Sequence, residues 1–304
     1  MNRLLVDELA TDVCYRNLMG DAEWAVSARS YFENLIDISE DILDKKFLKE
    51  MKDNVHGCFA EVYLAAVCRE RLKLKLSHPS DEGLDFYIDD FNCWVECVAP
   101  KPGKLGNVNS IPESKVGMVR CFPERQFLLR MASVFIDKAK KIEKDLKKEK
   151  LRENGIKSDQ PVVMFISAGA LEDGCAFYRY PKLFDVLLGI GEMSIHIDIE
   201  SSRVTGVTAK TRDFIEKTGK DNFNVGYFFN NEYSHISAVI YSWANFANPL
   251  EPEHLGRDFY LIHNPCAKNK LPLGAFQCGK EYIVETDGGI DRLKRHHIFD
   301  EDFR

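Results

Sequence analysis

The stretch GLDFYIDDFNCWVECVAPKPGK, Gly83 to Lys104, decides the fold. It reads as two strands, Leu84 to Ile88 and Cys93 to Ala99, joined by the turn formers Asp89-Asp90-Phe91-Asn92. Strand side chains alternate, so Trp94, Glu96 and Val98 share one face while Val95, Cys97 and Ala99 share the other. Two carboxylates interrupt this apolar pair: Asp85 early in the first strand and Glu96 in the middle of the second. On adjacent strands they repel each other and lose hydration unless a cation sits between them.

Upstream, HGCFAEVYLAAVCRERL (56–72) reads as a helix that is apolar nearly all round, and so buried on most sides. Glu61 is its only charged side chain from Gly57 to Cys68. The bland reading of Glu61 is a salt bridge to Arg69 or another arginine; the functional one is a ligand. Residues 1–54 read as a helical extension, in which Asp41-Ile42 opens a pattern through Leu43, Phe47, Leu48, Met51 and Val55. Downstream, a Pro- and Gly-rich loop leads to a long helix from Pro123 to about Asn154, stopped by Gly155. Strands follow at Pro161 to Ser167, 194–199, 235–242 and 258–263. Helix, hairpin, helix and strand predict a mixed central sheet flanked by helices, an α/β domain over 55–304 with 1–54 attached and no second domain.

The chain has 304 residues, 45% of them apolar, enough to bury a sizeable core. No apolar run is long enough to cross a bilayer and no signal-peptide pattern is present, which predicts a cytoplasmic protein with no membrane association. Nine cysteines without a Cys-x-x-Cys predict reduced thiols rather than a disulfide framework or a structural zinc site. The net charge of −7 argues against a uniformly basic coat, yet Lys138 to Arg152 carries eight basic side chains against three acids. That run fits a nucleic-acid backbone, or more blandly a solvated helix end with intrahelical ion pairs.

An apolar helix with one Glu, an Asp early in a strand and a Glu inside the next resembles the PD-(D/E)xK nuclease superfamily, the restriction-endonuclease-like fold. The likeness covers roughly residues 50–170. It implies that Glu61, Asp85 and Glu96 hold Mg²⁺ or Mn²⁺. It also implies a nucleic-acid partner, DNA favoured over RNA, and a homodimer by analogy alone. RQFLLRMASVFIDKAKKI, PVVMFIS and LIHNPCAKNKLP (261–272) further resemble an uncharacterised prokaryotic branch of nuclease-like proteins.

One position departs from the pattern. The family's lysine, two residues after the strand acid, is Val98 here, which can neither donate a proton nor steer water. Lys101 and Lys104 follow in the loop and are candidates to swing back. Lys138 has the better position, on the stripe Phe127, Met131, Val134, Phe135, Ile142 and Leu146 of the next helix. A lysine there either snorkels out or meets the acids. Arg130 and Gln126 flank the same stripe as candidate phosphate contacts.

Other candidates read as structural. His196, Asp198 and Glu200 alternate on one strand as an exposed face, or else a second metal site; His263-Asn264-Pro265 reads as a turn; His296-His297 reads as solvent-exposed. The expectation is therefore a metal-dependent nuclease with Asp85, Glu96, Lys138 and Glu61 as catalytic residues. The alternatives are an inactive nuclease-fold binding module and a small-molecule phosphohydrolase.

Overall fold

The structure is a computed structural model that describes residues 10–78, 83–114, 117, 119–148, 159–176, 179–287 and 290–299. The chain opens with helices α1 (Val13–Leu18), α2 (Glu23–Ser39), the single turn α3 (Phe47–Glu50) and α4 (Val55–Ala66). The Asp12 carboxylate caps α1 by accepting the Cys14 and Tyr15 N–H groups. The predicted helix from Asp41 to Val55 is broken. A 3-10 turn over Glu40–Ile42 and the short α3 replace it, which leaves Leu48 46% exposed while Phe47, Met51 and Val55 stay buried. α4 is apolar on every side, as its sequence requires, and unwinds into a wider π-turn over Val67–Arg71.

Strands β1 (Leu76–Ser77), β2 (Phe86–Ile88) and β3 (Cys93–Val98) follow. The β2–β3 connection is a 3-10 turn, Asp89–Phe91, closed by Asn92 at φ 48°. Asn tolerates this left-handed conformation better than other non-glycine residues, so Asp-Asp-Phe-Asn works as a turn. Helix α5 (Glu124–Leu146) then crosses to β4 (Val162–Ser167). The helix begins at Glu124, one residue later than expected, with Pro123 at its N-cap rather than its first position, and the expected end near Asn154 lies outside the described residues.

The rest comprises helix α6 (Leu183–Leu188) and strands β5 (Ile190–Ile197), β6 (Val204–Thr211), β7 (Phe214–Ile215), β8 (Phe223–Asn224), β9 (Ala238–Ser242), β10 (Tyr260–His263), β11 (Lys280–Asp287) and β12 (Ile290–Ile298). Eight strands form one sheet in the order β1-β2-β3-β4-β9-β10-β11-β12, while β5-β6 and β7-β8 pair separately. The large sheet is mixed: β3-β4, β4-β9 and β10-β11 are parallel and the other neighbours antiparallel. β11 and β12 were not foreseen, because KEYIVETD and IDRLKRHHI carry too many charges to announce a strand.

Helices cover both faces of the sheet. On one, Phe86, Val95, Cys97, Phe165 and Ile240 pack with α2 and α4; on the other, Trp94, Met164, Ile166 and Tyr241 pack with α5 and α6. The predicted division of β3 therefore holds. α4 is tied to the sheet by a polar contact as well. The Tyr63 hydroxyl donates to buried Asp258 at 2.6 Å, and Asp258 also accepts from the Ser242 hydroxyl and from the Trp243 and Ala244 N–H groups at 3.1 and 3.0 Å. Burial still raises the Asp258 pKa, but these donors offset much of its cost.

Candidate active site

Asp85, Glu96 and Lys138 come close to one another where β2 and β3 leave their shared ladder. Phe86↔Val95 is the last paired position on that side. Beyond it the Asp85 carboxylate, one residue ahead of β2, accepts the Cys97 N–H at 2.5 Å. A side chain thus takes the place of a ladder carbonyl, and Asp85 is fixed in orientation.

Glu96 lies fully buried in β3 on the face that α5 covers. Lys138 reaches its Oε1 at 2.5 Å, and Lys141, one turn on, reaches the same oxygen at 2.7 Å. Glu96 Oε2 is buried with no hydrogen-bond partner among the described residues. Lys138 thus turns inward from its stripe to the acid. Lys141 was not anticipated; its signal was the i, i+3 spacing that puts it beside Lys138 on the helix.

Glu61 looks onto the sheet from the opposite layer. With Asp85 it lines a cavity of about 70 Å³, together with Asp44, Glu50, His78 and the apolar Ile42, Leu43, Phe47 and Phe86. Four carboxylates on one small cavity make a strongly negative environment. Burial first, then the charges of Asp85 and Glu96, pushes the Glu61 carboxyl well above the usual range. Burial and then Glu96 push Asp85 up to about 7, against the pull of Lys138, Lys141 and the Cys97 N–H. Burial works against the Lys138 ammonium, but Glu96 and Asp85 outweigh it and raise its pKa.

The three acids therefore share one electrostatic neighbourhood but divide across the end of the sheet. Among the described residues, the side chains whose ligand atoms all lie within 4.8 Å of one another are Glu281, His296 and His297, not Glu61, Asp85 and Glu96. A divalent ion at the acids would require Lys138 or Lys141 to release Glu96 Oε1, or would have to use the orphaned Oε2. The donor set is all oxygen and suits a hard ion such as Mg²⁺ or Mn²⁺.

The remaining candidates fall away from this centre. Lys101 turns to the N-terminal helices, 3.3 Å from the Asp53 carbonyl and 3.7 Å from Asp12 Oδ2. Lys104 is exposed. Gln126 donates to the Val108 carbonyl at 3.4 Å. Arg130 forms no ion pair with Glu61 among the described residues; its Nε is buried without a hydrogen-bond partner there, and burial lowers its pKa. Arg69 takes Asp41 and the Ile38 carbonyl instead of Glu61. His196 bonds Thr208 and Asp198 caps a turn at Ser201, so they and Glu200 form no ligand cluster among the described residues. His263 ends β10, where it bonds Glu281 at 2.8 Å. His296 is half-buried on β12 rather than free in solvent.

No family model, no curated protein and no solved structure matches the chain. Among the described residues no helix is long and apolar enough to cross a membrane.

Proposed function

We propose that the chain is a metal-dependent phosphodiesterase with a restriction-endonuclease-like core, acting on DNA or, less favoured, RNA. The order of elements supports this reading: a buried helix with one acid (α4), an antiparallel β2–β3 pair carrying the next two, a crossover helix (α5), and a parallel strand (β4) beside β3. The observation that carries it is the Lys138–Glu96 contact, in which α5 delivers an ammonium to the strand acid that Val98 leaves without its usual lysine.

Asp85, Glu96 and Glu61 would hold Mg²⁺ or Mn²⁺; burial first, then the neighbouring acids, raises the pKa of Asp85 and Glu61, and a bound cation would oppose that rise. Such an ion would polarise the phosphate and lower the pKa of a bound water. The Cys97 N–H keeps Asp85 aimed toward the centre. Lys138 would neutralise charge that develops on the phosphate, and half-exposed Lys141 would meet the incoming backbone.

The test is cleavage of plasmid DNA and of RNA by the full chain with Mn²⁺ or Mg²⁺. Asp85→Asn, Glu96→Gln and Lys138→Met should each lower the rate at least about 100-fold, as loss of a charge-stabilising group does. A second reading, an inactive binding module, is favoured by the two lysines that already neutralise Glu96. It predicts nucleic-acid binding with no Mn²⁺ uptake that depends on Asp85. Mn²⁺ uptake without cleavage of either polymer would instead direct attention to small phosphate esters.

A further inference from the structure

The last hairpin of the large sheet carries a second group of ligand-bearing side chains, separate from the acids at β2 and β3. β11 and β12 pair with Glu281 opposite His297, and the next pair is Tyr282 with Arg295. His296 is therefore the extra residue of a β-bulge. A bulge sets two residues against one and re-aims their side chains. Adjacent histidines on a regular strand would point to opposite faces. Here their rings lie 4.3 Å apart between centroids, and both reach Glu281.

Glu281 is only 1% exposed. Its two oxygens are treated differently. Oε1 accepts from His263 Nε2 at 2.8 Å and from the Gly274 N–H at 2.9 Å. Oε2 is buried and has no hydrogen-bond partner among the described residues. A buried carboxylate oxygen left bare costs free energy. One oxygen is thus anchored while the other lacks a donor, a place that a cation would take.

We propose that Glu281, His296 and His297 form a site for a borderline divalent transition-metal ion of the Zn²⁺ class. Two imidazoles and one carboxylate suit that class better than Mg²⁺, and three protein ligands leave a fourth position for water. His263 acts behind the ligands, fixing Glu281 as hydrogen-bond partners behind metal ligands do. The ligand atoms lie within 4.8 Å of one another, against roughly 3.4 Å around a tetrahedral ion with bonds of about 2.1 Å. Binding would require the side chains to close that difference, and His297, which is exposed, has the room to turn. The ion would clip β12, an edge strand, onto the sheet.

The test uses the full chain, stripped with chelator and titrated with Zn²⁺ by calorimetry and with Co²⁺ by visible absorption. Wild type should take one Zn²⁺ equivalent that the double variant His296→Ala/His297→Ala lacks, and Co²⁺ should give an intense tetrahedral d–d band only in wild type. His297→Gln, at an exposed position that leaves the fold intact, should weaken binding at least tenfold. Glu281→Gln should do the same. Asp85→Asn should retain the equivalent, which separates this site from the proposed nuclease centre. Equal Zn²⁺ uptake by wild type and the double variant would overturn the proposal, as would no uptake by wild type.

Discussion

Lys138 Nζ lies 2.5 Å from Glu96 Oε1 across the interface between α5 and the sheet, and the two partners are unequally placed. Glu96 is fully buried, whereas the Lys138 side chain keeps 24% of its surface in water. The acid cannot escape if the contact fails; the lysine can.

That asymmetry predicts unequal mutational costs. Lys138→Met/Lys141→Met strands a buried carboxylate, and such losses cost about 3–5 kcal/mol. Glu96→Leu frees both lysines to extend into solvent and should cost less than about 1 kcal/mol. Urea unfolding at pH 7 measures both. Equal destabilisation by the two changes would mean that the ammonium groups are as trapped as the acid.

Asp85 sets a pH dependence of unusual sign. Its carboxyl is held near 7 in the folded chain, above its ordinary 3.8, so the folded state binds the extra proton between those values. Stability from this group is complete below about pH 4 and is lost as pH rises through 7. Asp85→Asn removes that loss. Its advantage over wild type should grow by on the order of 4 kcal/mol between pH 4 and pH 8. Denaturant midpoints across that range give the answer, and a constant difference would show that Asp85 titrates normally.

Mn²⁺ should substitute for the missing proton. At pH 8 a saturating ion ought to raise the melting temperature of wild type, since a ligand at 100 times its Kd adds about 2.7 kcal/mol. Asp85→Asn and Glu96→Gln should lose most of that rise in a thermal-shift measurement. An equal rise in all three proteins would place the binding elsewhere.

Asp258 ties α4, the helix that carries Glu61, to the sheet through Tyr63. Asp258→Ala takes away the buried acceptor that the Tyr63 and Ser242 hydroxyls share, while the Ala244 N–H keeps Ser242 Oγ at 3.2 Å, and should cost about 3–5 kcal/mol. Tyr63→Phe removes one donor and should cost about 1–2 kcal/mol. Equilibrium unfolding of the two variants distinguishes these values; a loss under 1 kcal/mol for Asp258→Ala would show that water replaces the carboxylate.

The hairpin and its flanking helices were legible because local pattern governs them. Alternation set the faces of β3, and a single charge on an apolar helix marked Glu61. Lys138 was legible for the same reason, as a cation on a core stripe. What escaped depends on contacts distant in sequence. Asp44 and Glu50 join Glu61 and Asp85 only when the N-terminal helices fold over α4. The separation of Glu96 from Glu61 depends on which sheet face each helix covers, which spacing along the chain does not encode. The pairing of Glu281 with His296 and His297 rests on a one-residue bulge, and strand periodicity gives the opposite answer there.

The strand order of the large sheet has one more consequence. Going from β3 to β11 crosses β4, β9 and β10, four steps in all. At about 4.8 Å per step that is roughly 19 Å. Glu96 and Glu281 are both buried, so salt screens them little, and at an effective dielectric of about 20 two unit charges that far apart couple by about 1 kcal/mol. An ion at either flank would thus shift the affinity of the other by no more than a few-fold.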